Sequence, residues 1–131
     1  MARFDKYSPV DGGFRAPLNA AIPGTDVGKI IGVSLNGTGK VVYGSQGTTA
    51  ASIKGVICPV RAMAAGDIID VMTDGEIVNA TLSDNVTPLT AGTDYGATAT
   101  AGSGVLVTPV GANQYVGHTV EATRLVVRVG R

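Results

Sequence analysis

The stretch Ile68-Ile69-Asp70-Val71-Met72-Thr73-Asp74-Gly75-Glu76-Ile77-Val78-Asn79-Ala80 decides the fold class. Short runs rich in β-branched residues flank Asp74-Gly75, and Asp-Gly is among the strongest two-residue hairpin signals, since a type I′ turn needs positive φ at both central positions. The stretch therefore predicts two antiparallel strands, 68–72 and 76–80, joined at Asp74-Gly75.

The same pattern extends outward in both directions. Upstream, the turn Ala64-Ala65-Gly66-Asp67 opens this unit and follows a strand from Ile53 to Val60. Pro59 in that strand marks an edge or a bulge, because proline cannot donate to a ladder. Farther back, Lys29–Leu35, the turn Asn36-Gly37-Thr38-Gly39 and Lys40–Gly44 form a second hairpin signal. Downstream come Tyr95–Ala101, Gly104–Val110, Tyr115–Val120 and Leu125–Val129, for about eight strands in all. Valine, isoleucine and threonine supply 40 of the 131 residues, and such side chains suit a pleated, half-buried surface. Only Ala50 to Ile53 and Glu121 to Leu125 suggest short helical turns. The prediction is an all-β single domain over residues 27–131, a compact β-sandwich or barrel-like, tulip-like body.

Residues 1–26 read differently. They hold three of the six prolines, have no clear period, and scatter Phe4, Tyr7, Phe14, Leu18 and Ile22. Five large apolar side chains do not offset the entropy of ordering so long a segment. An extended N-terminal arm is expected, held by a partner or a neighbouring copy through Arg3, Phe4, Tyr7, Phe14, Arg15 and Leu18.

Composition narrows the function. Charged residues make up 15% of the chain, against about 25% in average globular proteins, and 19 glycines, 16 alanines and 14 threonines take their place. Ten basic residues balance ten acidic ones, so the long-range field that draws a protein to nucleic acid or to an anionic membrane is missing. No window approaches the roughly 20 apolar residues of a membrane span. The N-terminus, MARFDKYSPVDGG, has no apolar signal-peptide region, so synthesis in the cytoplasm is expected. Two phenylalanines, four tyrosines and no tryptophan leave little to line a deep ligand pocket. The charge is also uneven. Residues 1–61 hold seven basic and three acidic side chains, a local +4, and residues 62–131 hold three basic and seven acidic, a local −4. These charges either solvate turns or lie on different faces and favour association between copies.

No constellation supports catalysis or metal binding. Asp67, Asp70, Asp74 and Glu76 form the one dense acidic cluster, but the spacing misses the calcium-loop pattern and positions 67 and 70 of a strand point to opposite faces. His118 is the sole histidine and has no recognisable nucleophile to serve. Cys58, the only cysteine, permits no internal disulfide, and between Ile57 and Pro59 it reads as a small buried hydrophobe. Gly32 to Lys40 lacks the glycine spacing of a phosphate loop. Asn36, Asn79 and Asn85 match the glycosylation sequon as chance matches in a threonine-rich chain. The chain is expected to be no enzyme and to carry no cofactor.

Four segments in order carry a family resemblance: Ala65-Gly66-Asp67-Ile68-Ile69-Asp70-Val71, Ala91-Gly92-Thr93-Asp94-Tyr95-Gly96, Val116-Gly117-His118-Thr119-Val120-Glu121-Ala122 and Val126-Val127-Arg128-Val129. Over residues 28–129 the chain resembles the capsid decoration, or cement, proteins of tailed bacteriophages. The resemblance implies a small β-rich structural virion protein, often a homotrimer. Such a protein binds the outer surface of an expanded icosahedral capsid near three-fold or quasi-three-fold positions and clamps neighbouring major capsid protein subunits. It implies no catalytic residue. The alternatives are another virion β-module, from a tail, a fibre or the head-completion machinery, and a small ligand-binding barrel.

Overall fold

The β-branched runs form strands in the computed structural model, which describes residues 1–8, 11–45, 52–98 and 100–129. The described residues include eleven strands and the 3-10 turn Gly24–Asp26. One antiparallel sheet has six strands in the order β1 (Arg3–Asp5), β7 (Asp74–Val78), β11 (Arg124–Arg128), β10 (Gln114–Thr119), β8 (Asp94–Ala97) and β9 (Leu106–Val107). The other has five, in the order β2 (Gly13–Pro17), β6 (Ile68–Met72), β5 (Gly55–Ile57), β3 (Ile31–Leu35) and β4 (Val41–Tyr43). The helical turn expected over Glu121 to Leu125 is instead a tight reversal, in which the Arg124 amide donates to the Glu121 carbonyl before β11 begins. The one expected over Ala50 to Ile53 falls on residues 50 and 51, outside the described residues.

The two sheets differ in how they are covered. In the six-stranded sheet, Leu125 and Val127 of β11 are buried while Arg128 is exposed, the alternation of a sheet packed on one face only. Its inner face, with Ile77, Tyr95 and Val116, meets Val56 and Met72 of the five-stranded sheet in one core cluster. The five-stranded sheet is covered on both faces. Ile57, Ile69 and Val71, on its opposite side, join Leu18, Ile22, Val33 and Val41 in a second cluster. This double burial explains the unbroken apolar run Val56-Ile57-Cys58.

The second cluster exists because the five-stranded sheet curls until its edges meet. Past the end of β2, Leu18 forms a parallel bridge to Val41 of β4, and the Asn19 amide donates to the Val41 carbonyl at 3.0 Å. A small barrel results, and Leu18 and Ile22, only 2% and 1% exposed, lie inside it. Both strands of the N-terminal segment therefore find their backbone partners within the same chain: β1 pairs with β7 and β2 with β6 over Gly13–Pro17. The contact expected from a partner is supplied by both sheets of the chain itself.

The Asp74-Gly75 hairpin is not formed. β6 and β7 lie in different sheets, Thr73 alone separates them, and Asp74 and Gly75 pair in register with Arg128 and Val127 of β11. Asp74 is not in the positive-φ region that a type I′ turn requires. The amides of Thr73 and Asp74 both donate to the Gly12 carbonyl, at 2.7 and 3.0 Å, so the chain turns a corner between sheets. Five residues of ladder with β11 outweigh one local turn preference.

Glycines form the seam where the sheets touch. The Gly32 amide donates to the Gly104 carbonyl at 2.7 Å, and Ile31 bridges Val105. A Cβ on Gly104, where φ is +74°, would fall 2.1 Å from the Gly32 carbonyl oxygen. Gly104→Ala is expected to cost about 3 kcal/mol or more, from left-handed strain plus overpacking. Gly66→Ala, at φ +90° with open space around it, is expected to cost about 1 kcal/mol. Urea denaturation of the two variants checks this, and equal losses would contradict a tight seam.

Candidate interaction surface

The six residues assigned to the arm end in different environments. Leu18 belongs to the barrel interior and is almost fully buried. Arg15 faces Asp70 across β2 and β6, with 2.6 Å between Nε and Oδ1. Phe14 lines a shallow groove of about 360 Å³ with Asp11, Leu35 and Lys54. Tyr7 packs its ring against Phe4, centroids 5.0 Å apart. Its hydroxyl is buried without a hydrogen-bond partner, and burial first, then the Asp70 charge, raises its pKa. Arg3 and Phe4 reach a separate feature.

That feature is a groove of about 340 Å³. Phe4, Cys58, Met63 and Ile69 line its apolar part, Val60 and Ile68 stand exposed on it, and Arg3, Arg61 and Asp70 complete it. Local chemistry places the pieces. The Cys58 thiol donates to the Ala2 carbonyl at 3.1 Å, which ties the start of β1 to the end of β5. Pro59 ends that strand, as proline in a ladder must, and its carbonyl accepts from the Gly28 amide at 2.8 Å. A second groove, about 410 Å³, runs along the barrel seam beside Leu18, Ala20, Ala21 and Val42.

The residues weighed for chemistry are engaged structurally. Burial pushes the Cys58 thiol up to about 12, away from the thiolate a nucleophile needs. His118 lies 3.4 Å from the Tyr115 hydroxyl, half-buried on β10. The acidic cluster is dispersed: Asp67 accepts the Ala64 amide, Asp70 holds Arg15, Asp74 lies 3.8 Å from Arg128, and Glu76 meets Arg124 at 3.2 Å. Among the described residues no group of three or more His, Cys, Asp or Glu side chains could hold a metal ion. The Lys6–Glu76 and Arg15–Asp70 pairs join the basic half of the sequence to the acidic half within one chain. Intramolecular pairing thus consumes part of the +4/−4 asymmetry.

These features define an all-β domain whose most distinctive surface is a mixed apolar and cationic groove. In comparison with known proteins, the chain matches no family model and no curated sequence. In three dimensions it is similar to a solved chain from Mycobacterium phage Patience, with a TM-score of 0.79 at 21% identity, over 98% of this chain and 96% of that one. At this identity the likeness establishes the shared fold.

Of the residues named from the sequence, Arg3 and Phe4 line this groove, whereas Val60, Arg61 and Ile68 were not among them; the signal for the first two of these was an apolar and a basic residue directly after Pro59. The buried environments make two checks. Cys58 is expected to resist a thiol reagent at pH 8 and to react fully once denatured. Because its folded pKa lies above the unfolded value of 9.0, its contribution to stability is complete below pH 9 and is lost as the pH rises toward 12. Tyr7→Phe, which removes an unpaired buried hydroxyl, is expected to leave stability unchanged or raise it by about 1 kcal/mol. Leu18→Ala is expected to cost about 2–5 kcal/mol. Thermal and urea melts compare these two variants.

Proposed function

We propose that this protein is a structural virion protein of a tailed bacteriophage, a capsid decoration protein that binds the outside of the icosahedral shell and clamps neighbouring major capsid protein subunits. The observation that carries the reading is the end-to-end similarity of fold to a phage chain. The four segments that resemble the decoration family support it by their places in the fold. Ala65-Gly66-Asp67 leads into β6, Ala91-Gly92 precedes β8, Val116 to Ala122 covers β10 and its turn, and Val126 to Val129 closes β11.

The physical character of the chain fits a passive clamp. Low charge and small side chains allow close approach to another protein surface, and repeated copies on one lattice gain affinity by multivalency. In this reading the protein self-associates, as a homotrimer, and acts on the capsid exterior without cofactor or catalysis. Residues 1–22 supply an edge strand to each sheet and fill the barrel, so point substitutions rather than truncation test the surface.

Mixing the purified protein with undecorated expanded shells tests the proposal. Co-sedimentation is expected, with added density repeated over the whole outer surface in electron cryo-microscopy. Absence of binding would overturn the reading. Density confined to one vertex or to the tail would overturn it in favour of another virion β-module.

A further inference from the structure

Among the described residues five large hydrophobic side chains are strongly exposed: Met1, Val60, Ile68, Val86 and Val120, at 66%, 61%, 58%, 77% and 49%. Short links bring the segments that carry the first four close together. Val60 and Ile68 line the same groove. Gly28, bonded to the Pro59 carbonyl, packs so closely on Met1 that a Cβ there would fall 2.6 Å from its Cγ. The Asn85 side-chain amide donates to the Val27 carbonyl at 2.9 Å and so holds the Leu82–Thr87 turn against the same place. Small proteins seldom gather exposed aliphatic side chains in this way without a partner to cover them.

The charges on this face are of both signs and unpaired. Arg3 has no carboxylate within ion-pair distance among the described residues, and Arg61 donates only to the neighbouring Ala62 carbonyl, at 3.4 Å. Asp70, on the same groove, is taken by Arg15. At the tip of the Leu82–Thr87 turn, Asp84 accepts from the Thr87 hydroxyl and from the amides of Val86 and Thr87. Those bonds aim its carboxylate without neutralising it. The turn therefore presents an aliphatic side chain and a fixed anion, and the groove presents aliphatic walls and two guanidinium groups. Each is the chemical complement of the other.

We propose that this face is an interface between copies of this chain, in which the Asp84–Val86 turn of one copy seats against the Val60–Ile68 groove of another, its carboxylate facing Arg61. The proposal names a surface for the self-association in the reading above and rests on that part of it, not on capsid binding. Identical copies each carry both halves of the contact, so it repeats from one copy to the next.

Analytical ultracentrifugation of the full chain without shells, over a range of concentrations, tests it. The unsubstituted protein is expected to self-associate. Arg61→Glu, which sets two carboxylates against each other, and Val86→Lys, which puts a charge against the aliphatic walls, are each expected to weaken association about tenfold or more. Lys40→Glu, on the β3–β4 turn, serves as the charge control and is expected to change nothing. Circular dichroism melts check that every variant is folded. A monomer at every concentration, or association indifferent to both substitutions, would overturn the proposal. Because no shell is present, self-association without shell binding would overturn the capsid reading alone.

Discussion

A single acceptor organises the molecule. The carbonyl of Gly12 takes the amides of both Thr73 and Asp74, and this fork turns the chain out of one sheet and into the other. A Cβ on Gly12 would fall 2.4 Å from the Asp74 carbonyl oxygen, so only glycine lets the strands approach so closely. Because β6 and β7 are split there, one uninterrupted stretch contributes to both sheets and holds their cores together. The extension of β7 then gives β1 its partner, and β6 gives β2 its own. The strands of the N-terminal segment, β1 and β2, take their places on either side of that corner.

Closing the five-stranded sheet on itself gives a small chain more buried surface than two flat layers would. Its strands bury apolar side chains on both sides, toward the facing sheet and into the barrel. Burial of residues such as Leu18 and Ile22 contributes about 1.5–3 kcal/mol each. The glycine seam between Gly32 and Gly104 serves the same end from outside, bringing backbone to backbone where side chains would hold the sheets apart. Small residues, which look bland in a composition table, are what allow so few aromatic groups to build two cores.

The surface that remains follows from what the folded chain consumes. Ion pairs such as Arg15–Asp70 and Arg124–Glu76 bind strands together. Arg3, Arg61 and Asp84, which join none of these ion pairs, lie beside exposed aliphatic side chains. A protein that works by lying against other protein needs such local pairing of apolar contact with directional charge.

The β-branched composition, the glycine punctuation and the apolar runs determined the fold class and most strand positions, because they act through local backbone preference and alternation. Asn36 shows the local logic at its best: its side-chain oxygen accepts from the amides of Thr38 and Lys40, and the predicted β3–β4 hairpin forms around it. Asp74-Gly75 shows where local logic ends, since its turn preference yields to a register with β11 set by residues some fifty positions away. The arm was legible as extended backbone, but not its partners, because edge pairing leaves no periodic mark on so short a segment. The groove was legible only at Arg3 and Phe4. Its other residues come together from the ends of β5 and β6, and only the tertiary structure, by folding the chain at Gly12 and tying Ala2 to Cys58, brings them onto one face.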